Sequence, residues 1–434
     1  MKLKNKKVLV YGLGESGRAA IKLLKEQKAE VSFYDDNIDF FSYIGFEREP
    51  QRKHFDIAIV SPGIKCQGNF LLQHLQDDGT LILSELDFGY LMSKGKVIGI
   101  TGTNGKTTTC MLVYRLLKNA GYKTFLCGNI GMPFSAIALQ TTKNSVIVCE
   151  VSNFQLELCR FFRPNVGCVL NIKPDHLDRH GSFEEYKRVK AKIAENMTGK
   201  DVLILNQDDE ETKSLTDFKR TKFFSKHQLK RGAYVYGNLI YCGKRPLANL
   251  SDIKMRGEKN LENVLASVAI CSHFKVSPEV YSQTLQNFLP ASHRMEVVGQ
   301  INGATYVDDS KATNVASTVA CIEAFSDKNI ILLLGGRGKD ILYDEIFDKK
   351  AAIKEVICFG EERENIKFAA EKYGQKTSLF ETMIDATKHA VEIAVQDDFV
   401  LLSPACSSFD EFENYADRGE KFKEIVLGSL NEKR

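Results

Sequence analysis

The chain has 434 residues, of which 43% are hydrophobic and 26% charged, and its formal net charge is +3 at pH 7. This length predicts about three domains, and so small a net charge gives no reason to expect nucleic acid or an anionic membrane as a partner. No apolar run approaches the roughly 20 residues that span a bilayer, and the N-terminus shows no signal-peptide core, so we expect a cytoplasmic protein. The 11 cysteines include no Cys-x-x-Cys pair and are predicted to be reduced core residues, without a disulfide or a metal.

The first predicted unit is Rossmann-like. A strand beginning at Lys7 leads into Gly12-x-Gly14-x-x-Gly17 and a helix through Lys25, and a second strand, Val31–Tyr34, ends at Asp35. This pattern is typical of a dinucleotide site and favours NAD. The glycines alone indicate only that phosphate or backbone approaches a helix N-terminus, so any nucleotide diphosphate would satisfy the same pattern.

A third strand of this unit, Asp56–Val60, ends at Ser61-Pro62-Gly63-Ile64. Because ligands of open α/β sheets bind at the carboxyl ends of the strands, this segment is either a binding loop or a simple turn. We expect the first domain to end near Leu91–Gly95.

The second unit opens with a phosphate loop. Alternating apolar residues from Val97 lead into Gly102-Thr103-Asn104-Gly105-Lys106-Thr107-Thr108 and a helical pattern over Cys110–Lys118. The glycines let backbone N–H groups turn toward phosphate oxygens, Lys106 adds positive charge, and the Thr107 hydroxyl can bind magnesium. Ile100 stands where the regular P-loop has its first glycine, so this is a shortened variant, and a plain helix start is the alternative.

Polar side chains follow the next strands of the second unit. The predicted strands are Lys123–Cys127, Ser145–Val151, Val166–Ile172 and Asp201–Asn206. Asn129 follows the first of them, and Glu150 lies at the end of the second, just before Ser152 and Gln155. A carboxylate at a strand end beside a phosphate loop is typical of a magnesium ligand, and a capping role is the alternative.

After the third of these strands, five titratable groups fall within six positions, Asp175-His176-Leu177-Asp178-Arg179-His180. Such a density at a strand's carboxyl end favours a functional site over ordinary surface side chains. The next helix carries Lys190, and its pattern alone indicates a solvated basic face.

The end of the second unit is less informative. Lys213–Leu250 is predicted as short strands and loops, and a helix runs from Gly257 to about His273. Asn260 and Asn263 share one face of this helix, where they would either contact a base or cap the helix.

The third unit is predicted as a doubly wound α/β domain with parallel strands. The predicted strands are Ala304–Asp308, Asn329–Leu334, Glu355–Phe359, Thr377–Phe380 and Phe399–Ser403, and the helices are Ser317–Phe325, Ile341–Lys349, Arg363–Lys372, Met383–Val395 and a final helix. Charged loops at 308–314, 335–340 and 403–410 should gather at one edge of the sheet.

The three units together indicate a class of reaction. One phosphate loop between two units with polar strand-end loops suggests ATP in the middle and a further substrate on each side. An ATP-dependent ligase fits this arrangement, because a pure NTPase would not need two more small-molecule sites and a dehydrogenase would not need Gly105-Lys106-Thr107.

Nearly the whole chain closely resembles the Mur ligases, and within them the D-glutamate-adding type. The general marks of the family are Gly102 to Thr108, Glu150, Asp175-His176-Leu177-Asp178 and His293-Arg294-x-Glu296. The D-glutamate-adding type is marked by Asp309-Ser310-Lys311-Ala312-Thr313-Asn314 and by the segment from Leu402 to Phe412. The chain departs from the pattern at Lys259, where the family usually has histidine before Asn260.

The resemblance implies an α/β protein of three domains: a Rossmann-like UDP-substrate domain at 1–93, a P-loop ATPase-like domain at 94–291, and a doubly wound Rossmann-like D-glutamate domain at 292–434. It also implies an enzyme of peptidoglycan precursor synthesis, and so of cell-wall growth and division. The implied reaction adds D-glutamate to UDP-N-acetylmuramoyl-L-alanine with ATP through an acyl phosphate, releasing ADP and phosphate. A monomer without nucleic-acid or membrane partners is expected.

The resemblance further implies a role for individual residues. The UDP-substrate would contact Leu13, Glu15, Ser16, Asp35, Ser61, Gly63, Asn129, Ser152, Gln155 and His176. ATP would contact Gly102, Thr103, Asn104, Gly105, Lys106, Thr107, Thr108, Asn260, Asn263, Arg294 and Asp309. D-glutamate would contact Thr313, Lys339, Ser408 and Phe409. The implied catalytic residues are Lys106, Glu150, His176, Lys190 and Lys311.

Two magnesium ions are implied as well, with Thr107, Glu150, His176 and Lys190 as ligands. Lys190 matches a lysine that is carbamylated in these enzymes, and a carbamate offers the hard anionic oxygens that magnesium prefers.

Two alternatives from other classes stay open: an NAD-dependent reductase that rests on Gly12-x-Gly14-x-x-Gly17, and a regulatory ATP-binding protein without ligase turnover.

Overall fold

The computed structural model describes residues 1–37, 45–215, 218, 220–255, 257–288, 292–338, 342–348 and 351–432. These residues form an α/β protein whose strands build three sheets. The chain divides into two compact units, one of Met1–Ile253 with Glu262–Asn287 and the other of Lys254–Leu261 with Phe288–Arg434. The first two sheets belong to the first unit and the third sheet to the second. The three-domain limits at 93 and 291 stay a prediction.

The first sheet has four parallel strands in the order β2-β1-β3-β4. Its strands are β1 Lys7–Tyr11, β2 Glu30–Tyr34, β3 Ile57–Val60 and β4 Leu81–Ser84, and its helices are α1 Glu15–Glu26, α2 Phe70–Asp77 and α3 Glu85–Met92. The first three strands and α1 confirm the predicted pattern. The elements α2, β4 and α3 were not predicted. The first five residues of α3 are all buried and therefore show no helical alternation of apolar and polar positions.

The second sheet has nine strands in the order β13-β12-β11-β10-β9-β8-β5-β7-β6, parallel except for the β11-β12 and β12-β13 pairs. Its strands are β5 Lys96–Thr101, β6 Thr124–Gly128, β7 Val146–Glu150, β8 Val166–Val169, β9 Val202–Asn206, β10 Thr221–Ser225, β11 Ala233–Tyr236, β12 Leu239–Cys242 and β13 Arg245–Asn249. The helices that follow in this part of the chain are α4 Lys106–Asn119, α5 Phe134–Ile137, α6 Asn153–Glu157, α7 Leu177–His180, α8 Phe183–Ala191, α9 Glu210–Lys213, α10 Glu258–Cys271 and α11 Pro278–Asn287.

The position of β5 in this sheet organises the site. It pairs with β7 on one side and β8 on the other, and Ile100 lies opposite Glu150 in the β5-β7 register. The phosphate loop therefore leaves the sheet beside the end of β7, because parallel strands bring their carboxyl ends to the same edge.

The third sheet has six strands in the order β14-β15-β19-β16-β17-β18. Its strands are β14 Glu296–Ile301, β15 Ala304–Asp308, β16 Asn329–Gly335, β17 Ile353–Phe359, β18 Thr377–Leu379 and β19 Asp398–Ala405, and its helices are α12 Val315–Ala324, α13 Asp344–Phe347, α14 Arg363–Lys372, α15 Met383–Ile393 and α16 Tyr415–Glu432. The alternating strands and helices confirm the doubly wound prediction. The predicted helix Ile341–Lys349 is described only over α13, since both of its predicted ends lie outside the described residues.

The five strands predicted for this unit, β15 to β19, pair in parallel with one another, which confirms the prediction, and β14 is an additional edge strand that was not predicted. β14 runs antiparallel to β15, and the two are joined by Asn302 and Gly303, whose φ angles are 51° and 79°. Two consecutive left-handed residues of the type Asn-Gly form a tight hairpin turn that reverses the chain at once.

Within the described residues, none of the helices combines the length and the apolar composition needed to cross a bilayer.

Candidate active site

The phosphate loop is a tight turn that requires its glycines. Gly102 and Gly105 have φ angles of 154° and 81°, in the region that side chains disfavour. A Cβ at Gly105 would lie 2.2 Å from Asn263 Oδ1, so this position also leaves no space for a side chain. The Asn104 N–H donates to Asn171 Oδ1 at 2.8 Å, which fixes the tip of the loop to the segment after β8. The loop is thus held in shape by contacts from outside its own motif.

Lys106 begins α4 and curls back over the loop. Its Nζ donates to the carbonyl oxygens of Gly102, at 2.7 Å, and Thr103, at 2.8 Å. Thr107 and Thr108 are buried in the first turn of the same helix. A lysine and hydroxyls at a helix N-terminus that follows a glycine loop are the groups that bind the phosphates of a nucleotide.

Lys190 projects from α8 into the same loop. It is fully buried, its Nζ donates to the Gly102 carbonyl oxygen at 3.0 Å, and it lies 4.5 Å from the centre of the Tyr186 ring. Burial, and then the charge of Lys106, hold the pKa of this amine well below its ordinary value, against the opposing effect of Asp175. The interpretation of this helix face as solvated is therefore wrong at Lys190.

Glu150 ends β7 and is buried beside the loop. Its Oε1 accepts a hydrogen bond from Asn129 Nδ2 at 2.8 Å, while its Oε2 is buried and has no hydrogen-bond partner in the described part of the chain. An unpaired buried carboxylate oxygen is costly, and a bound cation removes that cost. Magnesium prefers hard oxygen ligands of this kind, so the donor set of Glu150 and Thr107 fits a magnesium ion.

His176 lies in the loop that precedes α7, in a left-handed conformation with a φ angle of 52°. Its ring packs edge-on against Phe154 at 4.8 Å, and its Nε2 lies 3.6 Å from Asp175 Oδ2. Strained backbone of this kind at a residue other than glycine is typical of functional sites. Glu150 and Lys190 contact the phosphate loop or its strand directly, and His176 contacts Phe154 of α6.

Two residues expected to face the substrate form a helix cap. Ser152 Oγ accepts the N–H of Gln155, and Gln155 Oε1 accepts the N–H of Ser152 at 2.9 Å, a capping box at the start of α6. This contact engages the same side-chain oxygens that the resemblance assigns to the substrate, and their substrate role stays a prediction.

The loops of the first sheet have the tight geometry that the glycine pattern predicts. A Cβ at Gly17 would lie 1.9 Å from the Gly12 carbonyl oxygen, and the Ser61 hydroxyl donates to that oxygen at 2.8 Å. Asp35 Oδ2 accepts the Leu13 N–H at 2.6 Å. The structure thus brings Leu13, Asp35 and Ser61 to the carboxyl edge of this sheet. Glu15 and Ser16 begin α1, and Gly63 follows β3.

Asn263 lies in α10 and accepts a hydrogen bond from the Thr109 hydroxyl at 3.3 Å. It is buried against the start of α4, so its contacts are with the phosphate-loop segment. Asn260 lies one turn earlier on the same helix and is also buried, but it belongs to the second compact unit.

The second unit holds Asp309 directly after β15. This carboxylate is fully buried and accepts hydrogen bonds from the Met295 N–H, at 3.2 Å, and the Ser403 hydroxyl, at 2.8 Å. Burial raises its pKa to about 6, against the opposing charge of Arg294. Arg294 and Asp309 are therefore neighbours, and their assignment to ATP stays a prediction.

Lys311 and the loop after β19 complete the predicted residues of this unit. The Lys311 Nζ lies 5.0 Å from the centre of the Tyr415 ring, Ser408 is buried, and Phe409 is 62% exposed. Thr313 is half-buried between β15 and α12. Lys339 lies outside the described residues, and its assignment to D-glutamate stays a prediction.

Arg418 is a residue that sequence reasoning missed. It is fully buried in α16 and donates to the Ser310 hydroxyl and to the carbonyl oxygens of Ser310, Cys406, Ser407 and Gly335 at 2.8 to 3.4 Å. It therefore joins the loops that follow β15, β16 and β19. One sequence signal of its burial was available. Arg418 lies four residues before Phe422 and eight before Val426, which places it on the apolar face of the helix.

One further cluster in this unit has the composition of a metal site. Single ligand atoms of His293, Glu296 and Asp308 lie within 4.8 Å of one another. The Lys423 ammonium, however, contacts Glu296 at 2.9 Å and Asp308 at 3.8 Å. It already supplies the positive charge that a metal would bring, so we interpret the cluster as an ion-pair network.

Two family models match this chain. Residues 100–271 match the model of the Mur ligase middle domain, and residues 293–406 match the model of the Mur ligase glutamate ligase domain. The UDP-N-acetylmuramoylalanine–D-glutamate ligase of Caldanaerobacter subterraneus subsp. tengcongensis is 36% identical, over 98% of this chain and 99% of that protein. The chain belongs to the family of UDP-N-acetylmuramoylalanine–D-glutamate ligases, within the Mur ligases.

Further relatives agree with this assignment. The ligase of the same name from Clostridioides difficile is 37% identical over 98% of this chain and 99% of its own length. Among solved structures, the MurF ligase of Thermotoga maritima in complex with ADP has a TM-score of 0.64 at 17% identity and covers all of this chain and 97% of its own. That likeness shows a shared fold. The predicted family and fold class are confirmed, and the chain is a ligase.

Proposed function

We propose that this chain joins D-glutamate to the L-alanine carboxylate of UDP-N-acetylmuramoyl-L-alanine at the cost of one ATP. The observation that carries the proposal is the convergence of Lys106 and Lys190 on the Gly102 carbonyl oxygen, at 2.7 and 3.0 Å, beside the buried Glu150. A phosphate loop that serves only to bind a nucleotide has no need of a second lysine, least of all a fully buried one such as Lys190.

In the first half of the reaction, a carboxylate oxygen of the L-alanine attacks the γ-phosphorus of ATP. An O–P bond forms, the bond to the bridging oxygen breaks, and ADP leaves. The loop N–H groups and Lys106 hold the phosphates and stabilise the charge on the transferred group.

In the second half, the free amine of D-glutamate attacks the acyl carbon after losing a proton. The tetrahedral intermediate collapses with cleavage of the C–O bond, giving the amide and inorganic phosphate.

D-glutamate is proposed to bind through Thr313, Lys339, Ser408 and Phe409, with Lys311 near the transferred phosphate. Arg294, Asp309, Asn260 and Asn263 are proposed around the nucleotide.

Two magnesium ions are proposed to bind to Thr107, Glu150, His176 and a carbamylated Lys190. When bound, they would offset the charge of the phosphates. Carbamylation requires a neutral amine, and the burial of Lys190 beside Lys106 favours that form. The neutral amine nitrogen bonds to CO₂ and loses a proton, so the group beside the Lys106 cation becomes an anion and the two charges attract.

The UDP moiety is proposed to bind at the carboxyl edge of the first sheet, through Leu13, Glu15, Ser16, Asp35, Ser61 and Gly63. Asn129, Ser152, Gln155 and His176 would face the muramoyl and L-alanine groups. We further propose that the enzyme acts as a monomer in the cytoplasm.

A phosphate-release assay tests the proposal. Release should require ATP, UDP-N-acetylmuramoyl-L-alanine and D-glutamate together, with the amide product identified by mass spectrometry. Release with L-lysine, meso-diaminopimelate or a folate plus glutamate in place of these substrates would contradict it. Nucleotide binding without any amide product would instead indicate a regulatory protein.

A further inference from the structure

A cavity opens at the amino-terminal edge of the second sheet, opposite the carboxyl edge where the candidate active site lies. It has a volume of about 800 Å³ and is lined by the first residues of β5 and β7, by the turn after α4, and by the segment after α10. The phosphate loop and Glu150 lie at the carboxyl ends of these same strands. This amino-edge cavity is therefore separate from the candidate active site, and every residue that lines it belongs to the first compact unit.

The amino-edge cavity is strongly cationic. Four lysines line it, Lys96, Lys123, Lys143 and Lys275, and all four are exposed. None of the described residues that line it is acidic. Like charges around a concave wall of low dielectric reinforce one another and attract anions. Single surface lysines are ordinary, but four around one cavity without an acidic residue in its lining are not.

The ends of the neighbouring helices account for only part of this charge. Lysines commonly follow helix C-termini because they complement the helix dipole, and Lys275 after α10 fits that rule. Lys96 begins β5 and Lys143 precedes β7, so neither has a helix end to complement. The helix dipole therefore does not account for these two charges, and the Lys96 ammonium instead lies 5.8 Å from the centre of the Phe274 ring in the cavity wall.

His273 adds an independent observation at the same place. It lines the cavity, and its Nε2 is buried without a hydrogen-bond partner among the described residues. Burial lowers its pKa to about 4, and the charges of Lys222 and Arg220 contribute to this shift. A residue in the wall of the cavity thus carries a buried polar atom that the fold itself does not satisfy.

We infer that the amino-edge cavity binds a small multivalent anion of the di- or triphosphate class. The lysines surround a concavity, and this shape suits a compact ligand. An extended nucleic acid would need a positively charged groove that follows its backbone beyond this one cavity, and a membrane would need a flat or convex surface. The site is distinct from the one proposed for ATP, and the inference does not depend on the proposed ligase reaction.

Calorimetric titration with inorganic tripolyphosphate tests the inference. The wild-type chain is compared with the double variant Lys143→Glu/Lys275→Glu, and the control is Lys4→Glu/Lys22→Glu, which makes the same charge change at exposed positions elsewhere. Any binding at the phosphate loop is common to all three proteins. All four lysines are exposed, so the variants should fold, and circular dichroism checks this.

We expect a binding event in the wild type and the control that weakens at least about tenfold in the cavity variant, because two attractive charges become repulsive. Equal titrations in all three proteins, or equal losses in both variants, would overturn the inference. A parallel arm uses vesicles of phosphatidylglycerol. Cavity-dependent binding to vesicles without binding of free tripolyphosphate would also overturn it, since the ligand would then be a membrane surface.

Discussion

Lys190 in the first compact unit and Arg418 in the second are both fully buried cations, and their surroundings differ sharply. Arg418 donates to five oxygen atoms, whereas the Lys190 ammonium has one hydrogen bond, to the Gly102 carbonyl oxygen, with a neighbouring ring and a second lysine close by. Burial alone does not distinguish a structural cation from a functional one. The number of hydrogen bonds that the buried cation donates does distinguish them, because a cation with few acceptors favours its neutral and reactive form.

The largest effect is expected at Lys190. Replacing it with alanine should lower the rate of phosphate release about 1000-fold, because the ligand set for the metal loses its anionic oxygen. A short carboxylate such as acetate or propionate should restore part of the rate by occupying the vacated space. Lys187→Ala on the same helix removes a half-buried ion pair with Glu211 and should keep nearly full activity. Full activity of the Lys190 variant would remove this residue from the site.

Arg418→Met should instead act on stability. Five oxygen atoms would lose a donor inside the protein, which should lower the opening free energy of β16 and β19 by about 3 kcal/mol. Hydrogen exchange of the amides in these strands measures this locally, which suits a chain of several folding units. Lys421→Met on the same helix changes only a surface ion pair and serves as the control. Unchanged exchange in the Arg418 variant would show that the loops after β15, β16 and β19 hold together without it.

Glu150→Gln tests whether an unpaired oxygen marks a metal site. Phosphate release should fall about 100-fold and the magnesium concentration for half-maximal rate should rise, since an amide oxygen carries no charge. The folded state should be as stable as the wild type or more so, because a buried charge is removed. A loss of stability together with an unchanged magnesium requirement would assign Glu150 a purely structural role.

The smallest effect concerns Asp309, whose pKa is raised to about 6 in the folded state. A carboxyl group whose pKa is raised by folding stabilises the folded state when it is protonated. Its contribution to the free energy of unfolding is complete below the pKa of the unfolded chain, and it is lost as the pH rises through the folded-state pKa of about 6. Between pH 7 and pH 5 it should add about 1 kcal/mol to the opening free energy of β15. Asp309→Asn should abolish this increment, which hydrogen exchange corrected for the intrinsic rate can measure. A wild-type increment that persists in the variant would mean that another group titrates.

Sequence patterns identify residues whose signal is local. Glu150, Asn129 and Lys106 each follow an apolar strand within a few positions, so their place at the edge of a parallel sheet is predictable. Lys190 has no such signal, because its partners come from a loop 88 residues earlier in the chain, and only the family resemblance singled it out.

Arg418 escaped prediction for the same reason. Its acceptors lie in three separate loops, and the most distant is 108 residues away. The antiparallel β14 is a different case, since Asn302-Gly303 is a local hairpin signal and yet no strand was predicted before it. Local patterns therefore define the loops of both units, and long-range contacts decide how those loops are held.

The contact between Asn263 and the phosphate-loop segment has a consequence for synthesis of the chain. Gly105 leaves room for Asn263 Oδ1, and the Thr109 hydroxyl that donates to this atom lies 154 residues earlier in the sequence. A ribosome therefore releases the nucleotide loop long before it makes the helix that supports it. Until α10 emerges and docks, the nascent chain has the complete loop motif without this support. A fully supported nucleotide loop can therefore form only late in translation.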